Sequence, residues 1–419
     1  MAPGRELIEI AEARRLVLER AQPLAEPQTV PLADALGRVL AEPVRSADPV
    51  PGFDNSAMDG YAVRAADTRG AGREHPAELA VIDESRAGHP AGRTLGAGEA
   101  IAISTGAKVP EGADAVVRVE DTRPVDPQGA DGAVAVGQPV AVLAEVASGR
   151  DIRRAADDIA QGQTVLEPGA EIGPAELGVI ASVGLDRVAC SRRPRVSLLT
   201  TGDELQPPGE PLRPGAIRNS NAHALPPLAL RTGAEVSAVE MVGDDQDATR
   251  QALERALDAD LAVISGGVSV GEHDHVRAAL DELGAEQIFW GVALRPGKPT
   301  WFGTGGSGRP LILGLPGNPV SAMVTFILFA RPAIRRMLGA GDERRTATAV
   351  LDEAYAKRPG RAHLVRCRLE LRDDGWHARP TGPQGSHVLT SMLGADALAV
   401  LPTDQGDIAA GDRVEIELL

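Results

Sequence analysis

Three short loops carry most of the chemistry that this sequence can perform. They are, in chain order, SGGVSVGEHDH at 265–275, LRPGKP at 294–299 and GLPGNP at 314–319. Each loop follows or adjoins an apolar run, and its glycines let backbone N–H groups approach a ligand closely. Asp274, Arg295 and Lys298 add a carboxylate and two cations. This combination is typical of a site that binds an oxygen-rich anion beside a hard cation.

Further carboxylates follow other apolar runs. TTGDEL at 200–205 places Glu204 where a predicted strand gives way to a loop, and Asp244 and Asp245 separate an apolar segment from a predicted helix. Carboxylate and phosphate oxygens together suit Mg²⁺. The simpler interpretation of Asp244, Asp245 and Asp274 is capping of the helix that follows each of them. An ordinary solvated carboxylate is the alternative for Glu204.

The two cations flank a Pro-Gly turn, which would hold Arg295 and Lys298 in a fixed relation over a small anion. Lys298 is one of three lysines beside forty arginines, which indicates a need for a compact point charge there. A solvated surface turn is the alternative. In GLPGNP, Asn318 can cap the following helix and Pro319 can start it, and such a helix N-terminus behind a glycine-rich turn is itself an anion site.

Two short motifs match catalytic patterns only in part. GVSVG at 267–271 matches the G-x-S-x-G nucleophile elbow, but the preceding Ser265-Gly266 lengthens the turn, which disfavours Ser269 as a nucleophile. GTGGSG at 303–308 matches G-x-G-x-x-G but leads into a predicted strand, so a hairpin is the better interpretation.

The composition narrows the classes of partner. The formal net charge of −16 and the aromatic content of 2% argue against nucleic acid and against an anionic membrane surface. Cys190 and Cys367 are too few for a disulfide framework, and the N-terminus shows no apolar signal segment. The longest uncharged apolar stretch, 320–330, is far shorter than a membrane span. We therefore expect a cytoplasmic protein that holds any anion by local amides, cations or a metal.

The elements that must position these residues lie in three regions, which differ in the spacing of their apolar residues. After an amphipathic helix at 5–21, short apolar runs alternate with Gly, Pro and Asp turns, as in β-rich modules. Between 195 and 338, predicted strands alternate with helices, which indicates a parallel sheet covered on both faces and binding ligands at the carboxyl ends of its strands. At 365–371 apolar residues alternate with Arg366, Arg368 and Glu370 on the other side of a strand.

The predicted fold is therefore multidomain, α/β plus β. Residues 1–190 form linker helices with an inserted β-rich module at about 46–145, residues 191–340 a central doubly wound α/β domain, and residues 347–419 a small C-terminal β-barrel. In the central domain the predicted strands are 196–199, 261–264 and 311–315. The predicted helices there are 223–232, 248–257, 276–283 and 319–338.

Two further segments lie in the first module. PGFDNSAMDGYAV at 51–63 holds Asp59 among turn residues, and ISTGAKVPEGADAVV at 103–117 adds Thr105 on another turn. Together with TTGDEL, SGGVSVGEHD, RPGKP, GLPGNPVSA and TGPQGSH at 381–387, and in this order, these segments resemble the molybdopterin molybdenumtransferases, the MoeA family, which includes the C-terminal domain of gephyrin. The resemblance covers nearly the whole chain.

The resemblance implies a homodimeric enzyme that inserts molybdate into adenylylated molybdopterin and releases AMP in a Mg²⁺-dependent step. By motif, it assigns Mg²⁺ and pyrophosphate to Glu204, Asp244 and Asp274, and the molybdate oxyanion to Arg295 and Lys298. It assigns the shape of the molybdate loop to Pro316 and Pro319, a contact from the last domain to Ser386, and approach from the partner subunit's first module to Asp59 and Thr105. Catalysis would rest on Asp59, Glu204, Asp274 and Lys298.

Other functions are compatible with parts of the chain. An ATP-dependent molybdopterin adenylyltransferase resembles 195–338 alone, and the additional modules at either end argue against it. A non-catalytic scaffold of the gephyrin type would bind partner peptides, which the low aromatic content disfavours. A serine hydrolase is the least favoured alternative.

Overall fold

Helices are concentrated in the middle of the chain, between two regions built mainly of strands. The computed structural model describes residues 7–24, 26–126, 134–267, 275–306, 310–341 and 345–419. Numbered in chain order, its α-helices are α1 Ile10–Arg20, α2 Pro174–Ser182, α3 Asn221–Arg231, α4 Gln246–Ala256, α5 His275–Glu282, α6 Pro319–Thr325 and α7 Arg331–Met337. A π-helical segment, Phe326–Ala330, joins α6 to α7, so the predicted helix at 319–338 is continuous but not uniformly α-helical.

The strands are also numbered in chain order. Before residue 192 they are β1 Pro27–Pro31, β2 Val44–Arg45, β3 Asn55–Ser56, β4 Gly60–Val63, β5 Ala77–Ser85, β6 Glu99–Ile103, β7 Ala115–Arg118, β8 Thr122–Pro124, β9 Pro139–Val142, β10 Ile152–Arg153, β11 Thr164–Leu166 and β12 Arg187–Ser191. The central unit contains β13 Arg195–Thr201, β14 Leu205–Gln206, β15 Ile217–Arg218, β16 Glu235–Val242, β17 Leu261–Ser265, β18 Glu286–Trp290, β19 Leu294–Arg295, β20 Trp301–Thr304 and β21 Leu311–Leu315. The last unit contains β22 Thr346–Leu351, β23 Ala362–Arg372, β24 Gly375–Pro380, β25 Ala397–Leu401 and β26 Arg413–Leu418.

The N-terminal region consists of a base and a β-rich module that extends from it. In the base, β1 pairs with β12 and α2 follows β11. The chain leaves through β2 and β3 and returns through β10 and β11, because β3 pairs with β10 and β2 with β11. Between them lies a six-stranded sheet in the order β7-β4-β6-β5-β9-β8. The module therefore sits on a two-stranded stalk and has a core of its own.

The central sheet has the order β16-β13-β17-β21-β20-β18 and helices on both faces. Alternate residues of β13 point to opposite sides, which is the period of a strand. Leu198 packs in a cluster with Leu225 of α3, whereas Leu199 packs in a cluster with Leu253 of α4 and Leu280 of α5. The doubly wound architecture predicted for this unit is confirmed.

The expectation of a wholly parallel sheet is wrong at one edge. Strands β16, β13, β17 and β21 run parallel, but β20 is antiparallel to both β21 and β18. The physical reason is the short GTGGSG connection between β20 and β21, because parallel neighbours need a long crossover and a tight hairpin does not. The hairpin interpretation of this segment agrees with the pairing on either side, and residues 307–309 lie outside the described residues.

The last unit is a closed five-stranded β-barrel, as predicted. Its strands follow the order β23-β24-β22-β26-β25, and β25 also pairs with β23, which closes the ring. The barrel is joined to the central unit by β19, which pairs in parallel with β23.

His377 of β24 lies between two carboxylates of the barrel. Its Nδ1 is 2.8 Å from Asp352 Oδ1 and its Nε2 is 2.9 Å from Asp374 Oδ1. The hydrogen bonds to Asp352 and then Asp374 raise the pKa of His377.

The alternation predicted for β23 holds only in part. Arg368 and Glu370 are exposed, but Arg366 on the same side is 1% exposed. Arg366 is covered because the loop at 381–391 folds over it. Leu371, predicted to share the apolar side with Val365, is 66% exposed. It lies in the part of β23 that pairs only with β24, where no further strand covers it.

Two general expectations can also be compared with the structure. Cys190 and Cys367 are both free and buried, and burial raises the pKa of the Cys367 thiol to about 12. Across the described residues, no helix combines the length and the apolar character that crossing a membrane requires.

Candidate active site

The carboxyl ends of the parallel strands open into a cavity of about 530 Å³, which we call the strand-end cavity. It is lined by the loops after β13, β16, β17 and β21 and by the start of α3, with Thr201, Glu204, Asn221, Asp244, Gly266 and Asn318 among the lining residues. Loops at this edge converge because parallel strands all end there. Sequence reasoning placed the ligand site at the same edge.

A glycine after β17 lets two walls of this cavity come together. Gly266 has a φ of +96°, a conformation that side-chain-bearing residues rarely adopt. A Cβ atom there would lie 2.7 Å from the backbone oxygen and 2.9 Å from Oγ1 of Thr201. The loop after β17 therefore passes directly against the end of β13, and only glycine permits this approach.

The structure separates the two neighbouring aspartates before α4. Asp245 is the N-cap residue, and its Oδ1 accepts a hydrogen bond of 2.7 Å from the backbone N–H of Ala248. Asp244 instead lines the strand-end cavity together with Glu204, and its backbone N–H donates to Asp203 Oδ1 over 2.9 Å. The capping interpretation is therefore correct for Asp245, while Asp244 lines the cavity. Asp203, which sequence reasoning did not single out, orients that segment.

Asn221 is a cavity residue that sequence reasoning missed. It is 8% exposed, and its Nδ2 donates to Ser265 Oγ at 2.7 Å and to the backbone oxygen of Gly317 at 2.8 Å. Its Oδ1 is buried and accepts no hydrogen bond within the described part of the chain. A buried amide oxygen without a donor is unfavourable, so a ligand N–H or O–H group is the partner that this position suits. In the sequence, an asparagine at the start of a helix indicates only a cap.

A second cavity, of about 390 Å³, adjoins the first, and we call it the cationic cavity. Its lining includes the LRPGKP loop, Pro316, Ser321, the 384–387 segment and Arg361. Asn318 lines both cavities, so the GLPGNP loop forms their common wall. Pro319 lines the strand-end cavity, whereas Pro316 lines the cationic one.

Three cations line the cationic cavity: Arg295, Lys298 and Arg361. None of their side chains has a hydrogen-bond or ion-pair partner among the residues that the structure describes. The described lining contains no carboxylate. Arg361 was not predicted, because it lies in the barrel and far from the other two in sequence.

The turn that carries two of these cations is firmly held. Arg295 lies in β19 and is paired in register with His363 of β23. Gly297, between the cations, has a φ of +116°, and a Cβ atom there would lie 2.5 Å from Cγ2 of Thr325. Thr300 Oγ1 donates to the Gly297 oxygen over 2.7 Å. Arg295 and Lys298 are thus presented by a turn that is packed against the end of α6.

The pKa of His363, which neighbours the cationic cavity, reflects the positive charge around it. Burial, together with the charges of Arg295, Lys357 and Arg361, lowers the pKa of His363 to about 4. Lys357 is occupied elsewhere, since its ammonium donates to the backbone oxygens of Pro402 and Gln405. His363 is therefore neutral at physiological pH, and this side of the cavity attracts anions.

Ser386 reaches the cationic cavity from the barrel. Its backbone oxygen accepts a hydrogen bond of 3.2 Å from the N–H of Val320 in the first turn of α6. Pro319 starts α6 as predicted, but Asn318 makes no side-chain cap. The expected cap is wrong, and the Ser386 oxygen accepts from Val320, one of the N–H groups that an Asn318 cap would have used.

The remaining predicted residues lie elsewhere. Asp59 lines a separate cavity of about 480 Å³ in the N-terminal module, and its Oδ1 accepts from the N–H of Thr105 at 2.8 Å. The two residues are therefore in contact, but neither lines the strand-end or the cationic cavity of the same chain. Asp274 and the Ser269 segment lie outside the described residues.

The class of protein that this fold and these cavities define is a multidomain α/β protein in which a cation-lined cavity adjoins a cavity lined by two acidic residues. Three family models match successive segments of the chain. Residues 8–184 match the MoeA N-terminal region (domain I and II), residues 197–336 a probable molybdopterin binding domain, and residues 348–419 the MoeA C-terminal region (domain IV). The chain belongs to the MoeA family of molybdopterin molybdenumtransferases, which are transferases of molybdenum cofactor biosynthesis.

Individual relatives match over nearly their full length. Molybdopterin molybdenumtransferase 2 of Mycobacterium tuberculosis is 39% identical, covering 97% of this chain and 98% of that protein. The molybdopterin molybdenumtransferase of Haemophilus influenzae is 34% identical over 98% of both chains. A crystal structure of the molybdopterin biosynthesis MoeA protein from Pyrococcus horikoshii OT3 is 30% identical and superposes with a TM-score of 0.84 over 99% of this chain and 100% of that one.

Proposed function

We propose that this chain inserts molybdate into adenylylated molybdopterin and releases AMP with the help of Mg²⁺. The observation that carries the proposal is the pair of adjoining cavities with opposite chemistry. One is lined by three cations without partners in the described residues, and the other by two carboxylates at the ends of parallel strands. A substrate with an anionic end in each cavity would pass the GLPGNP loop, where Asn318 faces both.

The cationic cavity suits a small oxyanion such as molybdate. Arg295, Lys298 and Arg361 supply positive charge from two different units, and Ser386 is positioned to add a hydroxyl donor. This local charge allows a chain with a net charge of −16 to bind an anion. A cavity of about 390 Å³ also leaves space beside a small oxyanion for the dithiolene end of the pterin.

The strand-end cavity suits the adenylate and its pyrophosphate. The loops bring Gly202, Gly266, Gly267 and Gly317 to the cavity lining, and the Asn221 amide oxygen can accept from the bound substrate. Glu204 and Asp244 fit Mg²⁺, because this ion takes one or two carboxylates and completes its shell with phosphate oxygens and water. Within the described residues there is no group of three or more His, Cys, Asp or Glu side chains around a potential metal position. When bound, Mg²⁺ would neutralise charge on the pyrophosphate as AMP leaves.

A homodimer would complete the site. Asp59 and Thr105 face neither cavity of their own chain, so they act at this site only if a partner subunit supplies them. Phe53 and Met58, beside Asp59, are 44% and 39% exposed and would be covered by such a partner. We place the enzyme in the cytoplasm.

A reconstituted reaction tests the proposed activity. Purified protein, adenylylated molybdopterin, Mg²⁺ and molybdate should yield AMP, and omission of molybdate or Mg²⁺ should reduce it strongly. No AMP release under complete conditions would refute the insertase proposal. ATP consumption with molybdopterin and without molybdate would instead support the adenylyltransferase.

Mixing two impaired variants tests the shared site. At a molybdate concentration below the wild-type KM, Asp59→Ala and Lys298→Ala should each release AMP far more slowly than wild type. After mixing and subunit exchange, a mixed dimer has one site with an intact Lys298 and an intact Asp59 from the partner, so activity should return. If activity does not return although mass spectrometry detects mixed dimers, the two residues do not serve one shared site.

A further inference from the structure

Arg366 is a buried arginine that the proposed chemistry does not use directly. It lies in β23 and is 1% exposed. Its Nε donates to Ser391 Oγ at 3.1 Å, Nη1 to the Leu364 oxygen at 3.2 Å and Nη2 to the Gly385 oxygen at 3.4 Å. Across the described residues no carboxylate pairs with it. A buried guanidinium is therefore surrounded only by neutral oxygens.

The same residue also holds the loop at 381–391 through its backbone. Its N–H donates to Gln384 Oε1 at 2.9 Å, and its oxygen accepts from the N–H of Thr381 at 2.9 Å and from Gln384 Nε2 at 3.2 Å. With the side-chain bonds to Gly385 and Ser391, Arg366 contacts this loop at its two ends and just before Ser386. The segment that carries Ser386 into the cationic cavity is thus fastened to one residue of the barrel.

The charge of Arg366 makes this arrangement costly. A buried charge must be desolvated, and no carboxylate among the described residues compensates for that cost. Burial lowers the pKa of Arg366 to about 10, so the guanidinium is still charged at neutral pH. Its charge also lies directly behind the cavity lining, since Nη2 donates to the oxygen of Gly385, a residue that lines the cationic cavity.

We propose that Arg366 is a positioning residue for the oxyanion in the cationic cavity. It holds the 381–391 loop so that Ser386 faces the bound anion, and it places a fourth positive charge behind the three cations that line the cavity. This inference rests on the proposed function, in which the oxyanion is molybdate. The Arg366 side chain does not line the cavity itself.

The test compares Arg366→Met, Arg366→Lys and the control Arg368→Met in the full-length protein. Arg368 lies two residues further along β23 and is exposed. AMP release is measured against molybdate concentration at saturating adenylylated molybdopterin, and binding of AMP is measured separately by calorimetry. Arg366→Met should raise the KM for molybdate at least about tenfold, because charged hydrogen bonds and a nearby charge are lost. Arg366→Lys, which keeps the charge without the planar fork, should fall between wild type and Met.

Three controls decide the outcome. Arg368→Met should leave the KM for molybdate within about twofold, as for a surface substitution. Circular dichroism should show folded variants, and AMP affinity should be unchanged, because a merely structural defect would lower both affinities. A folded Arg366→Met with the wild-type KM, or an equal loss of AMP and molybdate binding, overturns the inference. If Arg366→Met does not fold, a wild-type KM in Arg366→Lys overturns it. Wild-type protein without molybdate-dependent AMP release refutes the proposed function instead.

Discussion

Replacing Lys298 by Ala should weaken molybdate binding selectively. Lys298 follows a buried Pro296–Gly297 turn, is exposed to solvent in the cavity and has no partner within the described residues. A hydrogen bond to a charged group contributes about 1.5–3 kcal/mol, and solvent exposure places this one near the lower end, at about 1.5–2 kcal/mol. Since 1.4 kcal/mol corresponds to a factor of ten, the KM for molybdate should rise by about 10- to 30-fold.

The assay is AMP release at varied molybdate, with AMP affinity as the internal reference. AMP binding should change little, because Lys298 does not line the strand-end cavity. Arg413→Ala, which removes an exposed cation from the barrel, is the matched control for net charge. Added salt should also raise the wild-type KM more than that of Lys298→Ala, because the variant has one cation fewer to screen. A KM for molybdate within twofold of wild type would refute the reasoning.

Three other predictions concern the carboxylates, the loop glycine and the barrel. Asp244→Asn should raise the Mg²⁺ concentration needed for half-maximal AMP release by about tenfold, whereas Asp245→Ala should leave it unchanged and cost about 1 kcal/mol of stability in urea unfolding through the lost cap. Gly266→Ala should destabilise the protein by about 1–3 kcal/mol because of its φ and the close contact with β13, while Gly178→Ala, in open space within α2, should stabilise it by about 0.5–1 kcal/mol. His377 has a raised pKa, so its contribution to stability is complete below the unfolded-state value of about 6.5 and is lost as pH rises through the folded-state value. The urea midpoint should therefore fall over that range in wild type and less in His377→Gln, and equal slopes would contradict this assignment.

The parts of the fold that could be predicted are those set by local pattern. The bounds of β21 coincide with the predicted 311–315, and α4 and β17 differ from prediction by at most two residues at either end. These elements have apolar residues at the period of their own structure, so a short window of sequence contains the information. Strand β16 was missed although its residues alternate in exposure, and as an edge strand it lacks the continuous apolar run that identified its neighbours.

The candidate site also contains features that the sequence could predict and features that it could not. The LRPGKP and GLPGNP turns and the charges of Arg295 and Lys298 could be predicted, because a turn and its side chains lie within a few residues. Arg361 could not, because it reaches the cavity only when β23 pairs with β19. Nor could sequence distinguish Asp244 from Asp245, since adjacent aspartates before a helix have the same capping preference.

By itself, the sequence determined the order of the units and placed loops at the strand ends, and it predicts the kind of ligand that those loops suit. The tertiary structure alone decided which charges meet. It placed a barrel arginine beside the LRPGKP turn, put the Ser386 oxygen where Asn318 was expected to cap, and buried Arg366 under the loop that carries Ser386. The physical reason is the separation along the chain over which each feature is determined. Secondary structure follows from side-chain periodicity and turn preferences over a few residues, whereas the partner of a charge depends on which distant strands pair and which loops fold over them.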